Sequence, residues 1–245
     1  MKIKNIGTVF LFIICLTGVI YSSYHLITWK LNVDKNAKIK EDIKNSIKVK
    51  KEEEEEKYVL DFVKLKEQNP DTVAYIKVPN TNIDYIVVRG LDNSYYLKHN
   101  FYKEYNIAGW IFSDYKNRFD GTDKNIVIFG HDTKDGSMFE TLKNTLKEEW
   151  YTNIVNHNII LVTEQDTYLY QVFSNYVIVP EDYYINTEFY SVEEYHSFLN
   201  EIKSRSIYDY GVEVNGNDSL LTLSTCTDGG AKRVVLHAKK IEIDN

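Results

Sequence analysis

This sequence predicts a mostly β domain: eight strands closing into a barrel, helical insertions between them, and a helical extension at the N-terminus. Three observations predict it. From Val73 onward apolar residues recur with a period of two, in stretches bounded by turn-forming residues. There are eight such stretches, a number that closes into a small barrel filled by side chains. Twenty tyrosines and only three prolines in 245 residues mark an ordered, strand-rich body.

The extension comes first in the chain. Residues 6–27 form the only long apolar run, preceded by Lys2 and Lys4 and closed by Tyr24 and Trp29. That length spans a bilayer as a helix, and aromatic residues suit its interface. A cleavable signal peptide is the rival, but Ile20-Tyr21-Ser22-Ser23 is a poor small-x-small site. Residues 1–29 are therefore read as a membrane anchor. Lys30, Lys35, Lys38 and Lys40 follow the span, so lysine counting does not favour a cytoplasmic N-terminus. Position at the extreme N-terminus favours a signal-anchor with the body outside.

Residues 30–57 are charged and, beyond Lys30, free of glycine and proline, with Ile39, Ile43 and Ile47 at four-residue spacing. They read as a solvated helical stalk with one thin apolar stripe, the alternative being a short dimer seam. Residues 58–66 continue as an amphipathic helix that Asn69-Pro70 stops. From residue 58 to 245 the chain reads as one catalytic-sized domain without internal repeats.

Strands are expected at 73–78 and 83–88, joined by the turn tetrad Pro79-Asn80-Thr81-Asn82, and at 109–113, 125–129, 158–163, 167–179, 219–225 and 233–243. Helical insertions are expected at 137–146 and 191–204, where the apolar spacing is right. The content of 43 % hydrophobic residues is enough for one good core plus an appendage. The net charge of −7 and the lack of a basic stripe with interleaved aromatics exclude nucleic acid as partner.

The chemistry starts from the last strand pair. Leu220 to Cys226 and Lys232 to His237 flank a link containing Gly229-Gly230, which reads as a β-hairpin with a slightly long loop. The hairpin brings Arg233 back beside Cys226. Only the thiolate is a nucleophile, and a nearby cation favours it. With Cys15 in the membrane segment, Cys226 is the single cysteine of the soluble part, so no disulfide framework or multi-cysteine zinc site can form there. Neither a metal nor another cofactor is implied, because no acidic cluster has ligand spacing.

A lone cysteine needs a base, and six histidines are available. His25 suits the membrane end, while His99, His157 and His196 lie in helical or loop stretches. His237 is near Cys226 in sequence, but four residues along a strand leads about 13 Å away from the loop. His131 follows the apolar strand Asn125-Ile126-Val127-Ile128-Phe129 and Gly130, so it is presented at a strand end. Strand ends gather on one rim of a barrel, where Cys226 also ends its strand.

The order His, Cys, Arg carries a resemblance. Thr222-Leu223-Ser224-Thr225-Cys226 followed by Arg233 resembles the T-L-x-T-C…R signature of the sortases, cell-surface transpeptidases. Ile128-Phe129-Gly130-His131-Asp132 with Lys134-Asp135-Gly136-Ser137-Met138-Phe139 is similar to their histidine segment in class B. The stretches 69–73, 76–85 and 92–97 are similar to class B too, and the likeness runs from about Tyr58 to Ile243. Two departures stand out: Asp132 replaces an asparagine common after the histidine, and Thr227 stands where some members are acidic.

The resemblance implies a sortase-type barrel outside a cell membrane. It implies a cysteine transpeptidase that cleaves a C-terminal sorting motif after Thr and passes the protein, through a thioacyl-enzyme, to a cell-wall amine. The partners so implied are surface proteins bearing a sorting signal and a peptidoglycan precursor or cross-bridge amine. Cys226 is then the nucleophile, His131 the acid and base, and Arg233 the holder of oxyanion or substrate backbone. Ser224, on the strand face of Cys226, either binds the motif or merely faces water; Asp132 and Asp228 are open as orienting groups for His131. Papain-like proteases place cysteine before histidine, and the caspase signature is absent. An L,D-transpeptidase carries its motif compactly, unlike the separation of His131 from Cys226. The alternative outside enzymes is a membrane-anchored, non-catalytic surface binding module, in which Cys226 would be inert to thiol-reactive probes.

Overall fold

A computed structural model describes residues 3–44, 46–52, 55–227 and 230–241, with the backbone alone at 3–6, 48–52, 55–57, 226 and 227. The chain opens with helix α1 (Ile3–Lys44), whose first half carries the apolar run. It is the one described helix long and apolar enough to cross a membrane, and none of its most apolar stretch is buried by the protein. Its second half is different. Val33, Asn36, Ile39 and Ile43 are buried, and Ile39 and Ile43 belong to the main hydrophobic cluster.

The stripe expected to be solvated therefore lies against the barrel. Its residues recur every three or four positions, so they form one face, and burying that face stabilises the helix more than propensity does. The helix expected through residues 30–57 and 58–66 is corrected as well, where two strands replace it. Strands β1 (Ile47–Glu52) and β2 (Glu55–Leu60) pair antiparallel, placing Ile47 opposite Leu60 and Val49 opposite Tyr58. The alternation of apolar and charged residues there has period two, which outweighed the helix-forming lysines and glutamates. Helix α2 (Phe62–Gln68) starts only where Asp61 caps it, accepting from the Lys64 amide at 3.0 Å.

The eight expected barrel strands are all present: β3 (Thr72–Lys77), β4 (Asp84–Val88), β5 (Phe112–Ser113), β6 (Asn125–Gly130), β7 (Asn158–Thr163), β8 (Thr167–Ile178), β9 (Leu220–Thr227) and β10 (Lys232–Ile241). They close in the order β10-β8-β7-β3-β4-β5-β6-β9. Two pairings are parallel, β4 with β5 and β6 with β9; the rest are antiparallel. The insertion at 137–146 forms 3-10 turns over Glu140–Leu146, followed by the one-turn helix α3 (Glu148–Tyr151).

The strands around the site are buried on both faces, and their alternation sorts two cores. Leu221, Leu223, Val234 and Leu236 join Ile76, Ile86 and Ile128 in the main cluster. Leu220 and Val235 point the other way, into a second cluster with Phe173, Tyr176, Phe198 and Ile202. Helix α4 (Val192–Ser204) covers that outer face, capped by Ser191, whose hydroxyl accepts from the Glu194 amide at 3.1 Å.

Candidate active site

The parallel pairing of β6 with β9 decides the geometry. In register, Gly130 lies opposite Thr225, the last pair of the β6–β9 ladder, so His131 and Cys226 follow it at the same rim as the next residue on each side. The antiparallel pairing of β9 with β10 then sets Arg233 directly opposite Cys226. His131 thus converges on one rim with Cys226 and Arg233, about a hundred residues further along the chain. Cys226 is described by its backbone alone, and Asp228 lies outside the described residues.

Gly130 explains why the chain turns into His131 as it does. A Cβ there would lie 2.5 Å from Ile111 Cδ1 and 2.6 Å from Phe139 Cγ, which no side chain tolerates. The strand end is thus pressed into the core while the next residue, half-buried His131, emerges at the rim. His131 Nε2 lies 2.8 Å from the Leu97 carbonyl oxygen. A carbonyl only accepts, so Nε2 carries the proton and Nδ1 is the nitrogen left to gain or lose one.

A cleft of about 380 Å³ opens at this rim. Phe112, Phe129, Leu97 and Ile185 give it apolar walls, while His131, Arg233 and Ser224 supply polar groups. Apolar walls with a few convergent polar groups are the usual make-up of a ligand site. Half-buried Arg233 donates from one terminal nitrogen to the carbonyls of Gly230 at 2.8 Å and Lys232 at 3.0 Å. Those bonds hold its head beside the hairpin link.

Ser224 does not face bulk water. It is buried, and its hydroxyl lies 3.1 Å from that of Tyr184, which also lines the cleft. Tyr184, Asn93 and Leu97 went unrecognised as site residues in the sequence, because each stands in a short turn or loop whose residues have no periodicity. Asn93 is held by a bond to the Asp114 carboxylate at 2.7 Å.

His237, set aside in the sequence for its place along the strand, is wholly buried. Its two nitrogens complete a one-way chain of hydrogen bonds. Tyr183 donates to the Tyr176 hydroxyl at 3.0 Å, which must then give its own proton to His237 Nε2 at 2.9 Å. The protonated Nδ1 donates to Thr222 Oγ1 at 2.8 Å, and Thr222 donates to Asn125 Oδ1 at 2.7 Å. Burial lowers its pKa to about 3, so it stays neutral.

Comparison with known proteins agrees with this fold. The family model described as "Sortase domain" matches residues 76–241. Sortase B of Listeria monocytogenes is 35 % identical over 180 residues, covering 72 % of each chain. Among solved structures, sortase B of Bacillus anthracis in complex with AAEK1 superposes with a TM-score of 0.76 at 34 % identity, covering 87 % of this chain and 99 % of that one. A Staphylococcus aureus sortase B–substrate complex gives a TM-score of 0.69 at 34 % identity, over 75 % and 85 % of the two chains.

Proposed function

The chain belongs to the sortase family and is a class B-like transpeptidase, and from that premise we propose that Cys226, His131 and Arg233 carry its reaction. Cys226, as thiolate, attacks the carbonyl of a threonine in the sorting motif of a surface protein. His131, protonated on both nitrogens, gives the Nδ1 proton to the leaving amine as the C–N bond breaks. The thioester so formed is attacked by an amine of the peptidoglycan precursor or cross-bridge. Neutral His131 takes that amine's proton at Nδ1, the thiolate leaves, and a new amide joins protein to wall.

The observation that carries this reading is the double register at one rim: His131 after Gly130 beside Thr225, and Arg233 opposite Cys226. Nothing but an acid–base group, a nucleophile and a fork of donors is needed for the chemistry, and the cleft is apolar enough to exclude much water. Arg233 offers a planar set of donors to the oxyanion or to substrate carbonyls. Ser224 and Tyr184 line the wall on which the motif would rest. The anchor of residues 1–29 would hold the domain of residues 58–245 at the outer face of a cell membrane, linked through residues 30–57.

The test is cleavage of a library of five-residue motifs by the full chain in detergent, with and without a glycine-peptide amine. Amine-dependent transfer after a threonine, lost in Cys226→Ala, is the expected result. An unreactive Cys226 and no cleavage of any motif would favour the non-catalytic binding module.

A further inference from the structure

The helix that leaves the membrane is bonded to the floor on which His131 rests. Asn36 of α1 donates from Nδ2 to the Gly109 carbonyl at 2.9 Å. Its Oδ1 accepts from Asn106 Nδ2 at 2.9 Å, and the same Asn106 nitrogen donates to the Asn32 carbonyl at 2.9 Å. Both asparagines are buried. Asn106 Oδ1 accepts from the Ala108 amide at 2.9 Å, and the Asn106 amide donates to the Lys98 carbonyl at 2.9 Å. The turn at 106–109 is therefore tied to α1 on one side and to the segment after Leu97 on the other.

That turn and that segment are the two supports of the imidazole. Leu97 accepts from His131 Nε2, as above. Gly109 has φ +60°, and a Cβ on it would lie 2.9 Å from His131 Cδ2, 2.5 Å from the Tyr96 carbonyl oxygen and 3.0 Å from that of Leu97. The ring is thus seated against bare glycine backbone, in a conformation that only glycine adopts without strain. A displacement of the turn displaces the seat.

The choice of residue on α1 points the same way. Asn36 interrupts the stripe of Val33, Ile39 and Ile43, where an apolar side chain would bury at lower cost. Its pairing with Asn106 leaves neither side chain free to accept a shifted helix, because any slip breaks hydrogen bonds in a dry place. A buried polar residue in an apolar seam is a device for fixing register.

We propose that Asn36 is a positioning residue for His131, acting through Asn106 and Gly109, so that the membrane-proximal helix is part of the active-site scaffold. This rests on the reading of His131 as the acid–base group. The consequence is that the histidine's tautomer and orientation depend on a segment outside the barrel. Removal of residues 1–30 leaves the device in place, and removal through residue 37 takes it away.

The experiment uses the full chain in detergent, selectively ¹⁵N-labelled at histidine, with turnover measured on the best-cleaved peptide of the five-residue library. In the parent protein the His131 nitrogens should show a single Nε2–H tautomer. Asn36→Ala should mix the tautomers and lower kcat at least about fivefold, with KM changed less than about twofold. Lys35→Ala, beside Asn36 on α1, removes an exposed ion pair to Glu104 of the loop before Asn106, at 2.7 Å, and should leave both readouts unchanged. If Asn36→Ala does not unfold cooperatively, Asn36→Asp, which keeps the acceptor and loses the donor to Gly109, takes its place. An unchanged tautomer in the folded variant overturns the proposal, as does a mixed tautomer with unchanged kcat. Equal losses in the Lys35 variant overturn it too, by making the effect a general loosening of α1. If no peptide is cleaved even by the parent protein, the functional reading fails, while the tautomer measurement still decides whether Asn36 seats His131.

Discussion

His237 and His131 lie on the same patch of paired strands, one in its middle and one at its end. Thr222, the strand neighbour of His237, pairs with Val127 of β6, and His131 is four residues beyond Val127. The separation along the strands is about 13 Å. Over that distance the environment inverts. His237 has both nitrogens committed to hydroxyl partners, aromatic rings around it from Phe173, Tyr176 and Phe198, and no exposure. His131 has one nitrogen committed to a backbone carbonyl and opens on a cleft. An imidazole with both nitrogens satisfied in the dry interior is structural. One held at a single nitrogen where the ladder stops keeps the other uncommitted, as the proposed acid–base role requires.

The sharpest way to test that contrast is to remove each residue in turn. Cys226→Ala should abolish transfer with thermal unfolding close to that of the parent, and His131→Ala should cost about 10²–10⁴ in turnover, the usual range for a positioned acid–base group. His237→Ala should instead spare the turnover of whatever fraction folds and lower stability, by about 2–4 kcal/mol for the cavity and the orphaned hydroxyls. Peptide cleavage and thermal unfolding, measured together on the three variants, check this. Comparable turnover losses at His131 and His237 would erase the contrast.

A second measurement reads the same contrast through pH. The folded-state pKa of His237, about 3, lies below the ordinary value of 6.5. Between those values the unfolded chain binds the proton and the folded chain does not, so stability rises with pH across that window. Its contribution is complete above about pH 6.5 and is lost as the pH falls towards 3, by about 3 kcal/mol between pH 7 and pH 4. Denaturant unfolding of the parent and of His237→Gln checks this: the parent should lose more stability than the variant over that range. Parallel curves would mean that His237 accepts its proton in the folded state.

Much of this was legible in the chain because the signals were local. Period-two stretches gave all eight barrel strands, since sheet faces impose that period directly. Gly130-His131 after an apolar strand and Arg233 across a short link from Cys226 were legible for the same reason: a strand end and a hairpin are near neighbours in sequence. What was hidden depends on contacts between distant segments. The parallel pairing of β6 with β9, the hydroxyl pair of Ser224 and Tyr184, and the Asn36–Asn106 bond join residues 40 to 95 apart. The hairpin of β1 and β2 was misread as helix because lysine and glutamate suit helices, and the short apolar alternation of Ile47, Val49, Tyr58 and Leu60 was outvoted.

Arg233 carries the contrast from the proposed base to the proposed donor group. It is one of four arginines among 29 basic residues. If it only favours the thiolate, Arg233→Lys keeps the charge and most of the activity. If it holds an oxyanion or substrate carbonyls with aligned donors, lysine lacks the fork. Losing such a donor costs about 10²–10³ in turnover. Arg233→Lys should therefore lose at least about tenfold in kcat, while the rate of Cys226 alkylation by a small thiol reagent changes little. Turnover and alkylation falling in step would make Arg233 a thiolate stabiliser instead.

The smallest effect is expected at Ser224, two residues along the strand from the proposed nucleophile Cys226 and close in kind to the buried hydroxyls around His237. Its hydroxyl meets that of Tyr184 inside the cleft wall, so two roles compete: a strut of the wall, as Thr222 is for His237, or a contact to the peptide. A strut removed by Ser224→Ala leaves the Tyr184 hydroxyl without this partner and lowers stability by about 1 kcal/mol, with KM unmoved. A peptide contact removed by the same change raises KM by about twofold to tenfold, the worth of one neutral hydrogen bond, with kcat held within about twofold. Tyr184→Phe separates the two, because it deletes the strut from the other side while leaving the Ser224 hydroxyl for the peptide. We expect Ser224→Ala to raise KM and Tyr184→Phe to raise it less. Equal KM values in both variants and the parent, with matching losses in thermal stability, would place Ser224 with the structural hydroxyls of the His237 chain.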